Sequence, residues 1–160
     1  VAEIERQIFS QPWSRQGFLD AVNLGNTVFL VAEENNRIIG YIGMYLAMDE
    51  GEITNVAVAP VERCHGVGGM LLTELLKIAE NKGVARIVLE VRASNDSAIR
   101  LYERNGFVFN EYPYIQPPIS KGKSPVPLRI MTYRSEITRE EFQKMKEILY
   151  RRVYKCEARI

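Results

Sequence analysis

Seven consecutive residues, Arg63-Cys64-His65-Gly66-Val67-Gly68-Gly69, have the types and spacing to hold an anion. They follow a run with strand alternation, residues 53–58, and precede an apolar run at helical spacing that begins at Met70. Strand, glycine-rich turn and helix, in that order, make a cradle. Glycine lets the backbone approach a phosphate closely and take up positive φ. The free N–H groups at a helix start then point at the anion, and the helix dipole adds to the attraction. The segment therefore points to a phosphorylated ligand. An ordinary strand-to-helix turn is the plainer alternative.

The surrounding chain has to position that loop. Its 160 residues make one domain large enough to bury a core. Apolar content of 46% and charged content of 26% exclude a disordered chain. Basic and acidic residues nearly cancel, 21 against 20, so no broad nucleic-acid face is expected. The longest apolar runs, such as residues 28–32, are too short to span a bilayer, and no signal peptide is visible. Cys64 and Cys156 form no metal or redox pair, and His65 is the only histidine. No metal site is expected, and both cysteines read as free thiols in a reducing, cytoplasmic compartment. Nothing in the pattern specifies an oligomeric state.

Periodicity and punctuation supply the elements. Residues 1–9 read as a helix with Ile4, Ile8 and Phe9 at helical spacing, broken by Ser10-Gln11-Pro12. Ser14 can cap a second helix carrying Phe18, Leu19 and Val22, with Trp13 packed beneath the two. Strands over 27–33, 38–47 and 52–58 form an antiparallel meander with turns at Asn35-Asn36 and Asp49-Glu50-Gly51. A helix over 70–82 stops at Gly83, and a strand over 85–91 buries Ile87, Leu89 and Val91 on one face. Asn95 caps the next helix, which Gly106 ends. Strands over 107–112 and 128–133 flank a proline-rich stretch, 113–127. A capping box, Thr138 and Glu141, opens a last helix within the extension 134–160.

Several of these segments resemble the GNAT N-acetyltransferases. Val56-Ala57-Val58 followed by Arg63-x-x-Gly66-x-Gly68 resembles that superfamily's acetyl-CoA signature. Pro12-Trp13-Ser14, Leu89-Glu90-Val91-Arg92-Ala93-Ser94-Asn95 and Leu101-Tyr102-Glu103-x-x-Gly106-Phe107 resemble the ribosomal-protein alanine N-acetyltransferase (RimI) group within it. The match covers residues 1–107. It implies an α/β (α+β) fold: a mixed, mostly antiparallel sheet flanked by helices, with a splayed central parallel strand pair. The chain adds an extra C-terminal helix. The implied activity is acetyl transfer from acetyl-CoA to a primary amine, in that group the α-amine of a protein. In the implied site, Val56, Ala57 and Val58 bind the acetyl-pantetheine arm through backbone groups. Cys64, His65, Gly66, Val67, Gly68 and Gly69 hold the pyrophosphate, and Asn95 contacts the cofactor. Glu90 is then the proton acceptor and Tyr102 the proton donor.

The chemistry asks for such residues. An amine at pH 7 is mostly protonated and must lose its proton before attacking a thioester. Glu90 interrupts a strand with apolar neighbours, and burial there would raise its pKa toward a useful range. A phenol beside the sulfur can protonate a leaving thiolate. Tyr102 follows Asn95 by seven residues, ~20° off the same helical face at 3.6 residues per turn, so the two can face one ligand. Structural readings stay open beside these. Glu90 can pair with Arg92 or Arg86, Tyr102 can be a core residue, and Asn95 is a good cap under any function. His65 can be a polar donor near phosphate or a surface residue.

Two departures from the family's pattern shape the expectations. The family begins with a strand ahead of its first helix, whereas Val1 already resembles the middle of that helix. The domain is therefore expected without its first strand. The 113–127 stretch and the helix after it also differ, so the acceptor does not carry over. Tyr112, Tyr114 and Lys121 are candidates for acceptor selection. The acceptor expected is a peptide N-terminus such as that of a ribosomal protein. The alternatives are a small amine (polyamine, amino acid or aminoglycoside) and a CoA-binding sensor without turnover. A nucleotide triphosphatase fits poorly, because the loop lacks a Gly-Lys-Ser/Thr ending.

Overall fold

The computed structural model describes residues 1–110 and 128–135. Two helices lead, α1 (Ala2–Ile8) and α2 (Arg15–Asn23). The meander follows as β1 (Thr27–Glu34), β2 (Arg37–Ala47) and β3 (Glu50–Val58). A 3-10 turn at Pro60–Glu62 precedes α3 (Val67–Asn81), β4 (Arg86–Arg92) and α4 (Asp96–Arg104). The last two strands are β5 (Val108–Phe109) and β6 (Leu128–Arg134). The expected helix within 134–160, Cys156, and the acceptor candidates Tyr112, Tyr114 and Lys121 lie outside the described residues. So does the end of the expected 107–112 strand, residues 111–112.

The local signals act as their chemistry requires. Ser14 Oγ accepts from the Gly17 N–H at 3.0 Å, and Asn95 Oδ1 accepts from the Ala98 N–H at 3.2 Å. Gly83 and Gly106 follow α3 and α4 with φ of 77° and 86°, the left-handed conformation that ends a helix. One boundary differs from expectation. α3 begins at Val67, not Met70, so Val67, Gly68 and Gly69 are its first turn. Glycine's poor helix propensity hides that turn in the sequence.

The six strands run in the order β1-β2-β3-β4-β6-β5. Among the described residues only β3 and β4 pair in parallel. Their pairing spans Glu50–Ile53 against Arg86–Leu89 and stops there. β4 meanwhile stays paired with β6 through Arg92↔Leu128. The expected splay is thus present. On its β2 side, β3 skips Thr54: Gly43 opposes Asn55 and Met44 opposes Ile53. Such a bulge bends and twists a strand, and it falls where β3 leaves β4.

Helices cover both faces of the sheet. The larger core joins α3 and α4 to Ile42, Met44, Ile53, Ile87, Leu89 and Met131, among others. The smaller one joins α1 and α2 to Tyr41 and Ala57. Trp13 packs on Phe18 at 5.3 Å between ring centroids. Among the described residues no helix is long and apolar enough to cross a membrane.

Candidate active site

The cradle is built from two left-handed residues and an open helix start. Cys64 has φ 65° and Gly66 φ 82°. Gly66 is the α3 N-cap, and unlike Ser14 and Asn95 it has no side chain to satisfy the helix N–H groups. The helix's first internal bond runs from Met70 N–H to Gly66 O at 3.0 Å. The backbone N–H groups of Cys64, His65, Gly66, Val67, Gly68 and Gly69 donate to no protein acceptor among the described residues. Six such amides, three in the exposed bend at Cys64–Gly66 and three in the first turn of α3, with a helix dipole behind them, can seat an anion.

The glycines serve different ends. A Cβ at Gly66 would have open space, so φ alone requires glycine there. A Cβ at Gly68 would lie 3.3 Å from Leu101 Cδ2, so that glycine lets α3 approach α4 closely. Arg63 Nε donates to Val58 O at 3.3 Å, tying the bend to the end of β3.

The gap between β3 and β4 adjoins this bend. Ala59 N–H donates to Ile39 O at 2.8 Å, so Ala59 and, two residues back, Ala57 turn their backbone groups toward β2. Val56 and Val58 then turn theirs toward the unpaired side. Val56, and Val58 through its N–H since its carbonyl already accepts from Arg63 Nε, can offer backbone hydrogen bonds to an extended ligand in the gap. Ala57 acts as a spacer with a buried side chain.

Glu90 and Tyr102 lie on opposite faces of the sheet. Ile87, Leu89 and Val91 point into the α3/α4 core, so Glu90 projects on the α1/α2 face. Tyr102 lies on the α3/α4 side, 7% exposed, its ring 5.7 Å from that of Phe107. The expected burial of Glu90 is not found: its side chain is exposed, because no described helix covers β4 on that face. Nor does it pair with Arg86, which holds Glu50 at 3.1 Å. Glu90 makes no ion pair among the described residues. Its cross-strand neighbour is Ile130, half-buried, a contact that sequence reading missed because it joins strands 40 residues apart.

Tyr102 is a core residue, as its structural reading expected. Its ring is core, and its hydroxyl has no hydrogen-bond partner among the described residues. Burial pushes the phenol up to about 12. Burial first, and then the Glu5 carboxylate, also raise Tyr41. The sign follows for stability. The folded state favours the neutral phenols, while in the unfolded chain they ionise near 10.0. That stabilisation is complete below pH 10; the Tyr102 part is lost as pH rises toward 12, and the Tyr41 part at still higher pH. Thermal unfolding should therefore show Tm falling between pH 10 and 12. The fall should be smaller in Tyr102→Phe.

Asn95 is exposed, with its Oδ1 engaged as the α4 cap and its Nδ2 donating to no acceptor among the described residues. His65 and Cys64 are exposed on the bend. A separate open groove of about 750 Å³ runs between β1 and α3. Val67 and Met70 line it and His65 reaches its rim, but Glu90 and Tyr102 do not. It is not the gap. Among the described residues no cluster of side chains could hold a metal ion.

Comparison with known proteins gives four concordant results. Residues 1–107 match the family model described as "Acetyltransferase (GNAT) family". The ribosomal protein bS18-alanine N-acetyltransferase of Escherichia coli (strain K12) is 37% identical over 105 residues, 65% of this chain and 70% of the relative. The crystal structure of the ribosomal-protein-S18-alanine N-acetyltransferase from Escherichia coli superposes with a TM-score of 0.75. It is 29% identical, over 87% of this chain and 88% of that one. A GNAT family acetyltransferase from Elizabethkingia anophelis, solved with acetyl-CoA bound, superposes with a TM-score of 0.60. It is 25% identical, over 76% of this chain and 84% of that one.

Proposed function

The chain belongs to the acetyltransferase (GNAT) family and is an N-acetyltransferase, and from that premise we propose that it acetylates the N-terminal α-amine of a protein, such as a ribosomal protein, using acetyl-CoA. The observation that carries the cofactor half of this reading is the row of six unengaged amides from Cys64 to Gly69. They suit the pyrophosphate. The gap-facing backbone groups of Val56 and Val58 suit the pantetheine amides, and the Nδ2 of Asn95 suits a further polar contact.

The acetyl thioester then lies in the gap between β3 and β4. The amine approaches from the Glu90 face and attacks the carbonyl carbon as Glu90 takes its proton. The C–S bond breaks, and Tyr102, on the opposite face, donates its hydroxyl hydrogen to the departing sulfur. A phenol pushed up to about 12 stays protonated throughout the working pH range. It is a weaker acid than an ordinary thiol near 8.5, so its part is to hold the thiolate by a strong hydrogen bond as much as to surrender its proton. Fixing amine and thioester in attack geometry supplies much of the remaining acceleration.

The acceptor class rests on the surroundings of Glu90. Ile130 stands directly across from it. An apolar neighbour suits an α-amine on a carbon with a small apolar substituent, and it disfavours the second cation of a polyamine. The relative acting on an alanine N-terminus agrees with this. The test is a thiol-release assay with an Ala-starting hexapeptide beside spermidine, free amino acids and an aminoglycoside. The peptide should have the highest kcat/KM, by at least tenfold. A small amine ranking first would transfer the reading to that class. CoA uptake with no thiol release on any amine would make the protein a CoA-binding sensor.

A further inference from the structure

Glu5 carries the one carboxylate that is fully buried among the described residues, and the reaction above does not use it. It lies in α1, and both its oxygens accept hydrogen bonds. Oε1 accepts from the Tyr41 hydroxyl on β2 and from Asn55 Nδ2 on β3, the latter at 2.9 Å. Oε2 accepts from the backbone N–H of Trp13, ahead of α2, at 3.3 Å. A carboxylate is costly to bury unless donors converge on it, and here they come from three separate parts of the chain.

The place where these donors meet matters. Asn55 directly follows the bulged Thr54 and is two residues beyond Ile53, the last β3 residue paired with β4. The next residues, Val56 to Val58, carry the backbone groups that turn into the gap. A carboxylate can only accept, so it holds the Asn55 carboxamide with Nδ2 inward. Asn55 Oδ1 is left buried and without a partner. The side chain is thus committed to Glu5 at the expense of its own acceptor. Without that tether, β3 and β4 have unpaired edges facing one another and an incentive to continue their ladder.

We propose that Glu5 is a positioning residue for the acyl-carrier site. By pinning Asn55 it fixes the course of β3 past the bulge and keeps the edge at Val56 and Val58 open for the pantetheine arm. This rests on the function proposed above. Alanine at position 5 removes both acceptors at once, whereas glutamine can still accept from the Trp13 N–H and donate to the Tyr41 hydroxyl and to Asn55 Oδ1 once that carboxamide flips.

The test uses the whole chain and CoA itself as the calorimetric probe, with steady-state kinetics on an Ala-starting hexapeptide. Glu5→Ala should weaken CoA binding about tenfold, the equivalent of one lost hydrogen bond. The KM for acetyl-CoA should rise in step, with kcat within about twofold. Ile4→Ala, a neighbouring core truncation in α1, should lower Tm but leave the CoA Kd unchanged. Glu5→Gln, matched through a flipped Asn55 carboxamide, should keep binding to within about threefold of wild type. If Glu5→Ala does not fold, Asn55→Ala carries the same expectation. Wild-type CoA affinity in Glu5→Ala or Asn55→Ala would overturn the proposal, as would an equal loss in Ile4→Ala. Absence of CoA binding by the wild-type chain would instead sink the functional reading, and this inference with it.

Discussion

Glu90→Gln should lower kcat by roughly 10² to 10⁴, the range for loss of a positioned general base, while acetyl-CoA binds as before. The substitution keeps the shape of the side chain and removes only its capacity to take a proton. It leaves untouched the Cys64–Gly69 amides and the β3 edge, so calorimetry should return the wild-type Kd. The pH dependence should change too. Without a base the amine must arrive already neutral, so the residual rate should climb with pH toward the α-amine's own pKa, about 7.7–8.0 in a peptide. Because Glu90 is exposed, water is excluded from it only once substrates fill the gap. The defect should therefore appear in turnover rather than in resting stability. An unchanged kcat from pH 6 to 9 would remove Glu90 from the mechanism.

What the sequence disclosed and what it concealed divide along a physical line. Local signals were legible. Ser14, Asn95, Gly83 and Gly106 mark helix ends because capping and left-handed φ are decided within a few residues. The apolar alternation of Ile87, Leu89 and Val91 gave the buried face of β4, and therefore the face of Glu90. The glycine loop was legible because its chemistry is that of the backbone.

Properties that depend on distant partners were concealed. Glu5 sits in a helix among Glu3 and Arg6, which are exposed. Nothing nearby reveals that Tyr41 and Asn55, 36 and 50 residues away, meet it in the interior. The bulge at Thr54 arises from a two-strand register, and the exposure of Glu90 from the absence of a covering helix among the described residues. The start of α3 was misplaced by three residues because Gly68 and Gly69 are helical through tertiary packing against Leu101 rather than by preference.

Gly69→Asp should move stability and binding in opposite directions. Gly69 is the third residue of α3, and a Cβ there meets only Leu101 Cδ1 at 3.9 Å, an ordinary contact. Replacing a helical glycine removes a conformational cost, and a carboxylate in the first turn interacts favourably with the helix dipole. Together these should add about 0.5–1 kcal/mol to the unfolding free energy. The same carboxylate would occupy the anion seat and repel the diphosphate. Two like charges about 4 Å apart at an effective dielectric constant near 20 cost on the order of 4 kcal/mol. Half of that, after screening, still weakens acetyl-CoA binding roughly 30-fold. Gly69→Ala separates the two effects, keeping the backbone gain without the charge, and should bind within a few-fold of wild type. Calorimetry and thermal unfolding on the three proteins decide the matter. A generally damaged fold would lose both stability and binding, whereas a cradle that seats a diphosphate on these amides loses binding alone. Wild-type affinity in Gly69→Asp would mean that the anion sits elsewhere, and the Cys64–Gly69 bend would revert to an ordinary turn.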